Sequence, residues 1–189
     1  MSAMSEFDPN LPYRIGVLCY LYNEHGQLLL LHRSQKPNKH LYSPIGGKLH
    51  MHEGESPARC ALREIEEEVE LTLTPADIHL TGMVSETAYQ NENHWLLFLY
   101  EVTRPVQVQR MQFREGTLEW HDWDGLGDLP IPDTDRLVIN PLIRKYHGQF
   151  FHVHIDCRDG QLKWWLEHPA SDDVNSAPSP QSWTAGQQP

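Results

Sequence analysis

The stretch from Gly47 to Leu71 constrains this chain more than any other feature, because it predicts one long helix crowded with charge. Ser56 is a favourable N-cap and Pro57 suits the first helical position, so the helix should begin there and end near Val69. At about 100° per residue, its apolar side chains fall within one arc, which predicts a face packed on a sheet. That arc consists of Ala58, Ala61, Leu62, Ile65 and Val69.

Roughly opposite that arc, the helix carries three glutamates at the spacing i, i+3, i+4. Clustered carboxylates repel one another by about 1 kcal/mol per pair in a wet environment, and by more where they are partly buried. Oxygen ligands of this kind suit hard cations such as Mg²⁺, Mn²⁺ or Ca²⁺. A solvated acidic face is the alternative interpretation, and the helix alone leaves both open. The three glutamates are Glu64, Glu67 and Glu68.

The residues around this helix resemble the signature of the Nudix hydrolases. That signature runs Gly, five residues, Glu, seven residues, Arg-Glu, an aliphatic, any residue, Glu-Glu, any residue, Gly and an aliphatic. Agreement at so many fixed positions makes the match specific. In this chain the matching residues are Gly47, Glu55, Arg63, Glu64, Ile65, Glu67, Glu68 and Leu71.

Two departures from the signature lie outside the three glutamates. Seven residues separate Gly47 from Glu55, so either the loop has a two-residue insertion or Glu53 takes the loop position. Glu70 stands where the family has glycine. A left-handed helix end costs Glu about 1 kcal/mol more than Gly.

The resemblance implies an α/β protein with the Nudix fold, an α/β/α sandwich with a mixed β-sheet. It also implies that the glutamates hold Mg²⁺, with Mn²⁺ as an alternative, helped by the carbonyl of Gly47. Arg63 would orient the carboxylates, and a metal-bound water would attack phosphorus near neutral pH. Either Glu64 or the downstream Glu115 would take the proton of that water. The metal ligands implied are Gly47, Glu64, Glu67 and Glu68, and the catalytic residues are Arg63, Glu64, Glu67 and Glu115.

The resemblance continues downstream toward the MutT-like 8-oxo-dGTP diphosphatases. Arg114-Glu115-Gly116, followed by Glu119-Trp120, matches a segment that supplies a further metal-facing glutamate in that branch. A surface loop glutamate is the alternative interpretation of Glu115. The segment from Leu129 to Arg136 resembles one that lies near the purine. In it, Asp133 or Asp135 is a candidate for reading a guanine-type base edge; the alternative is that the two acids cap and strengthen a helix N-terminus.

Two cations are candidates for phosphate contact. They are Lys48, directly after the signature glycine, and Arg33, at the end of an apolar run. Surface solubility is the alternative for both. Aromatic residues such as Trp95, Trp120 and Trp123 are candidates for stacking on a base, with ordinary core packing as the alternative.

The order of predicted elements is β, β, α, several β, α and a β-hairpin, which favours a mixed sheet with helices packed on it. The first two strands, 13–22 and 27–32, predict a hairpin around the turn 23–26. A helix is predicted over 134–146, with a break at Pro141. We therefore expect an N-terminal extension over 1–12, one Nudix domain over 13–168, and a disordered Ser/Pro/Gln-rich tail over 169–189.

Charge and cysteine content narrow the function classes. The net charge of −11 argues against binding a nucleic-acid polymer along its backbone, since such proteins usually carry a basic face. No apolar run approaches the roughly 20 residues that span a bilayer. The three dispersed cysteines indicate free thiols in a reducing cytoplasm. No pattern distinguishes a monomer from an oligomer.

The leading hypothesis is a Mg²⁺-dependent hydrolase of a nucleoside diphosphate linked to another group. The substrate we favour is a purine nucleoside triphosphate, including an oxidised one such as 8-oxo-dGTP, cleaved to the monophosphate and pyrophosphate. Dinucleoside polyphosphates or nucleotide sugars are alternative substrates. A non-catalytic Nudix ligand-binding module is the alternative from another class, but such modules usually lose the glutamates that this chain keeps.

Overall fold

The computed structural model describes residues 10–36, 38–109, 111–158 and 162–169, together with the backbone of 181–183. Short 3₁₀ turns occupy Met51–Glu53, Pro75–Asp77 and Trp123–Asp128, and a π-helical turn spans Asp135–Ile139. The strands and α-helices, in chain order, are β1 Tyr13–Tyr20, β2 Leu28–Arg33, β3 Tyr42–Ser43, α1 Pro57–Val69, β4 Ile78–Tyr89, β5 Asn93–Val102, β6 Gln112–Phe113, β7 Gly116–His121, α2 Asn140–Lys145, β8 Phe151–Asp156, β9 Leu162–His168 and β10 Gln181–Trp183.

The strands form two sheets. The larger sheet has the order β1-β5-β4-β8-β9-β10, and the smaller has the order β3-β2-β7-β6. In the larger sheet β1 runs parallel to β5 and β4 runs parallel to β8, whereas its other neighbouring strands are antiparallel. The predicted mixed sheet is therefore confirmed.

Strand residues alternate between two hydrophobic cores, because successive side chains of a strand point to opposite faces. Val17 on β1 and Leu29 on β2 enter one core, which contains the apolar face of α1. Tyr20 and Leu28 enter the other, which contains α2. This division puts strands between two helices, which is the α/β/α arrangement predicted from the sequence.

The predicted hairpin between the first two strands is wrong. β1 pairs along its whole length with β5, from Tyr13 opposite His94 to Tyr20 opposite Glu101. β2 instead pairs with β3 and β7 in the smaller sheet. A single bridge from Tyr22 to Leu28 remains from the expected hairpin. The turn closes locally, but longer pairings elsewhere decide the partners of both strands.

The second helical segment is confirmed, but the break predicted at Pro141 is wrong: a π-helical turn leads directly into α2, and Pro141 lies in the first turn of α2. The turn of the β-hairpin predicted last in the element order falls at residues 159–161, which lie outside the described residues. Most of the predicted extension and tail also lie outside them, but the backbone of 181–183 pairs antiparallel with β9. At these three residues the chain is a strand. No helix in the described part of the chain is both long and apolar enough to span a bilayer.

Candidate metal and diphosphate site

The helix that carries the site begins and ends as its sequence predicts. The Ser56 hydroxyl oxygen accepts a hydrogen bond from the backbone N–H of Arg59 at 3.3 Å, and Pro57 occupies the first turn. α1 ends at Val69, and Glu70 has φ 58°, in the left-handed region. Glu70 therefore bears the backbone cost predicted for a glutamate at the position of the signature glycine.

Arg63 is the central cation of the site. Its guanidinium donates two hydrogen bonds to Glu55, at 2.9 and 3.1 Å, in a bidentate pair. It donates a third to Glu64 at 2.7 Å and a weaker one to Glu67 at 3.3 Å. The hydrogen bonds from Arg63 lower the pKa of Glu55 to about 2, so this carboxylate stays ionised. We call Glu55, Arg63, Glu64, Glu67 and Glu68 the acidic helix site.

The loop before the helix resolves which glutamate takes the signature position. Glu55 contacts Arg63 and also accepts a hydrogen bond from the backbone N–H of His50 at 2.8 Å. Glu53 is exposed and lies beside the imidazoles of His50 and His52. The two additional loop residues are therefore accommodated around the 3₁₀ turn Met51–Glu53, and Glu55 holds the position that the signature assigns.

Two glycines bring the preceding loop against the helix. A Cβ on Gly47 would lie 2.1 Å from Oε1 of Glu64, so only glycine permits this contact. Gly46 has φ +147°, and its N–H donates to Glu68 Oε2 at 3.1 Å. The Gly47 carbonyl accepts a hydrogen bond from Val17 N–H at 2.8 Å and a long one from the Cys60 thiol at 4.0 Å.

Glu64 and Glu68 form the buried part of the acidic helix site. The Glu64 side chain is 13% exposed, and burial raises its pKa despite the contact with Arg63. Glu68 is 5% exposed, and its pKa is raised to about 8 by burial and then by the charges of Glu64 and Glu115. The site thus concentrates negative charge that Arg63 neutralises only in part.

Glu67 lies apart from the other two helix glutamates. Its side chain is 59% exposed, and Arg63 lies between its carboxylate and that of Glu64. Within the described residues, no three His, Cys, Asp or Glu side chains already surround one common metal position. The helical spacing places the three carboxylates on one side, but the Arg63 contacts separate their oxygen atoms.

The downstream candidates lie at the same end of β2 as the helix site. Arg33 ends β2 and donates to Glu115 at 3.4 Å. The charges of both residues act on Glu68, so both approach the acidic helix site. The Lys48 ammonium lies 5.8 Å from the centroid of the Trp95 ring, and the Lys48 carbonyl accepts from Arg63.

The two downstream aspartates differ from each other. Asp133 is half-exposed and forms an ion pair with Arg136, and no side-chain hydrogen bond caps the following turn. Asp135 is buried, and burial raises its pKa to about 7. Its charge acts on Glu86 of β4, whose own burial raises its pKa to about 8. We call Glu86 and Asp135 the buried acid pair.

Glu86 has no counterpart among the sequence candidates. Glu86 lies within β4, which continues to Tyr89. The sequence held one signal for Glu86. It lies two positions after the apolar Val84, and residues two apart on a strand point to the same face. That signal alone predicts a surface carboxylate as readily as a buried one.

The chain is similar to known proteins in sequence and in fold. The NUDIX domain family matches residues 12–146. An uncharacterised Nudix hydrolase, YvcI of Bacillus subtilis (strain 168), is 25% identical over 139 residues, covering 71% of this chain and 84% of that protein.

Solved structures share the same fold. The MutT protein of Bacillus halodurans superposes with a TM-score of 0.65 at 24% identity, over 82% of this chain and 97% of that one. The NUDIX domain of Shewanella oneidensis NrtR, solved in complex with ADP ribose, superposes with a TM-score of 0.58 at 18% identity, over 77% of this chain and 98% of that one.

Proposed function

Because this chain belongs to the Nudix family and is a Nudix hydrolase, we propose that it cleaves a purine nucleoside triphosphate to the monophosphate and pyrophosphate. The substrate class includes an oxidised nucleotide such as 8-oxo-dGTP. The observation that carries the proposal is the pair Glu64 and Glu68, two buried carboxylates held against Gly46 and Gly47 beside one arginine.

The residues at this site fit a hard divalent cation. Their donors are carboxylate oxygens and the Gly47 carbonyl, which Mg²⁺ and Mn²⁺ prefer over softer ligands. The pKa of Glu68 is raised partly by the charges of Glu64 and Glu115, and a cation would relieve that repulsion. Glu64, Glu67, Glu68 and the Gly47 carbonyl would hold the metal. Bound there, Mg²⁺ would neutralise the diphosphate and acidify a water for attack on phosphorus.

The protein side chains have separate tasks in this reaction. Arg63, fixed bidentately by Glu55, orients the carboxylates of Glu64 and Glu67. Glu64 takes the proton of the attacking water, because burial brings its pKa toward the range in which a base works at neutral pH. Glu115 is the alternative base, since it is half-exposed and near the same carboxylates.

Phosphate contact is proposed for Arg33 and Lys48. The Arg33 side chain is 15% exposed and lies at the metal end of β2, where a diphosphate would bridge to it. Lys48 follows the Gly47 carbonyl directly in the chain. A guanidinium presents five donors, so Arg33 can contact a phosphate and Glu115 together.

The purine base is proposed to lie beside the buried acid pair. Glu86 with a pKa of about 8 is largely protonated at neutral pH, so its carboxyl both donates and accepts hydrogen bonds. Tyr89 lies close enough for its pKa to be raised by both acids, and its hydroxyl donates to Asn38 of the loop after β2. This supports Asp135 as the base-reading aspartate. Asp133 is the weaker candidate, because Arg136 engages its carboxylate.

The setting of the enzyme is part of the proposal. We expect it to act on a small nucleotide in the cytoplasm, because its three cysteines, all among the described residues, are free thiols. The NrtR domain binds ADP ribose with a similar fold, so a nucleotide sugar remains the alternative substrate to test.

A product assay tests the proposed reaction directly. The purified protein is incubated with Mg²⁺ and, separately, with 8-oxo-dGTP, dGTP, ATP, diadenosine tetraphosphate and ADP-ribose, and the products are separated by ion exchange. We expect monophosphate and pyrophosphate from a purine triphosphate. Turnover confined to ADP-ribose would eliminate the triphosphatase, and turnover of none would contradict the hydrolase proposal for this whole range. Omitting Mg²⁺ and adding EDTA is the control for metal dependence.

A further inference from the structure

A second cavity lies at the other end of β2 from the acidic helix site. Its volume is about 720 Å³, within the range of sites for small organic ligands. We call it the distal cavity. The residues that matter for its chemistry are Tyr22, His79, Glu101, Arg104, Trp123 and Arg144.

The distal cavity and the acidic helix site are separated by the length of β2. Leu28, at one end of that strand, pairs with His121 and bridges to Tyr22 of the cavity. Arg33, at the other end, lies beside Glu115 and the helix site. Six strand residues span roughly 17 Å, so one small ligand does not reach both places.

The wall of the cavity holds a buried carboxylate with unused acceptor capacity. The Glu101 side chain is 4% exposed, and its Oε1 accepts from the Tyr22 hydroxyl at 2.9 Å and contacts His147 Nδ1 at 2.8 Å. Its Oε2 accepts a long hydrogen bond of 3.5 Å from the N–H of Gly148. Because a carboxylate oxygen accepts about two hydrogen bonds, Oε2 is suited to an N–H donor of a ligand.

An unpartnered ring nitrogen lies beside the cavity. His79 lines the cavity, and its Nε2 atom is buried with no hydrogen-bond partner among the described residues. Because that atom is closed off from the open space of the cavity, a ligand pairs with it only if the His79 ring turns toward the cavity.

Aromatic and cationic groups complete the cavity. The Tyr22 and Trp123 rings lie 6.3 Å apart, tilted by 32°, and form an apolar wall. At the rim, Arg104 contacts Asp77 and Arg144 contacts Asp124. Both arginine side chains are more than half-exposed, so further guanidinium N–H groups remain for an anion.

We propose that the distal cavity binds a nucleoside monophosphate. The base stacks on Trp123, a base N–H donates to Glu101, and the phosphate meets Arg144 and Arg104. A simple cation would fit Glu101 but would be repelled by the arginines at the rim, whereas a bare anion would leave the carboxylate and the aromatic wall unused. The inference stands apart from the proposed reaction, since it uses none of its residues.

The test observes tryptophan indole N–H resonances by ¹⁵N NMR of the full chain in EDTA, titrated separately with AMP, GMP, adenosine and inorganic phosphate. Trp123 reports on the distal cavity, and Trp95, beside Lys48, reports on the acidic helix side. The two signals are assigned with W123F and W95F. We expect a saturable shift of the Trp123 signal with AMP or GMP and a much weaker response to phosphate alone.

Charge variants distinguish the cavity from other binding. Arg144→Ala removes an exposed rim cation and should weaken monophosphate binding at Trp123 about tenfold. Arg59→Ala removes the same charge from the exposed surface of α1 and should leave that affinity unchanged. The proposal is overturned if only Trp95 responds, if no tryptophan responds, if phosphate alone reproduces the shift, or if the Arg144→Ala protein binds as tightly as the wild type.

Discussion

Glu55 of the acidic helix site and the buried acid pair contain the same kind of side chain, yet their pKa values shift in opposite directions. The hydrogen bonds from Arg63 hold the pKa of Glu55 at about 2. In the buried acid pair, burial raises the pKa of Glu86 to about 8 and that of Asp135 to about 7, and no arginine is among the causes of either shift. Burial also raises the pKa of Glu64 although Arg63 contacts it, so the balance of desolvation against the arginine contact, rather than residue type, decides the direction of each shift.

Glu68 combines features of both regions. It lies on the acidic helix, but its pKa is raised to about 8, as in the buried acid pair. Burial is the first cause, and the charges of Glu64 and Glu115 add to it. Since Arg63 engages Glu55, Glu64 and Glu67, it leaves Glu68 without a comparable partner. A bound divalent cation would favour the ionised form of Glu68.

The largest effect on stability is expected from removing Arg63, the cation of the acidic helix site. Arg63→Ala leaves Glu55 and Glu64 buried without their partner, so the free energy of unfolding should fall by about 3 kcal/mol. Urea denaturation at pH 7 measures this change. Arg59→Ala, on the exposed side of the same helix, should alter stability by no more than about 0.5 kcal/mol. A loss below about 1 kcal/mol for Arg63→Ala would show that the arginine does not govern the region.

Substituting Glu67, the exposed glutamate of the acidic helix site, should change catalysis without changing stability. Glu67→Gln should lower Mg²⁺-dependent turnover about a hundredfold or more, because it removes a proposed metal ligand. Its stability should stay within about 0.5 kcal/mol of the wild type, because the side chain is 59% exposed. The matched control is Glu66→Gln, the neighbouring exposed residue, which should retain activity. Full activity in Glu67→Gln would mean that the metal is held elsewhere.

The buried acid pair predicts a pH dependence of stability whose sign is opposite to that of Glu55. The folded state holds the Glu86 proton more tightly than the unfolded chain does, so ionising Glu86 destabilises the fold as pH rises from about 4.5 to 8. Glu55 has a lowered pKa, so its stabilisation is instead lost as pH falls from about 4.5 toward 2. In Glu86→Gln the decline between pH 5.5 and 8.5 should be smaller than in the wild type.

Thermal unfolding of both proteins in EDTA, at half-unit steps of pH, measures this difference. Asp135→Asn should flatten the same pH window, since burial raises its pKa as well. Parallel curves for the wild type and Glu86→Gln would contradict the assignment of Glu86 as a neutral acid in the folded protein.

The smallest effect concerns the end of the helix that carries the acidic helix site. Glu70→Gly should stabilise the protein by up to about 1 kcal/mol, because Glu70 has a left-handed backbone that glycine adopts without a Cβ penalty. Glu66→Gly, inside the same helix, should have the opposite sign and cost about 1 kcal/mol. Urea unfolding of the two variants side by side makes the comparison. If Glu70→Gly and Glu66→Gly destabilised the protein equally, the left-handed backbone of Glu70 would carry no strain that glycine relieves.

Local sequence signals predicted α1 accurately because its determinants are local. An N-cap serine, a proline in the first turn and a 3.6-residue apolar period act within the helix itself. The helical period also determines which residues share the charged side of α1. It did not predict that Arg63 would lie between Glu64 and Glu67, because that arrangement depends on side-chain contacts rather than on spacing.

Strand partners and burial depended on distant parts of the chain. The turn after β1 predicted a hairpin, but β1 pairs with β5, more than 70 residues away in sequence. Glu86 is buried only because its strand lies inside the larger sheet and the turn that carries Asp135 packs near it.

Residues within 25 positions of one another are enough to identify the family, the helix α1 and the cluster of carboxylates on that helix. Only the tertiary structure decided the protonation of those carboxylates, the selection of Glu55 over Glu53, the buried acid pair and the distal cavity. These features depend on desolvation and on charges from separate strands and loops. Both arise only when folding buries the side chains and brings those segments together.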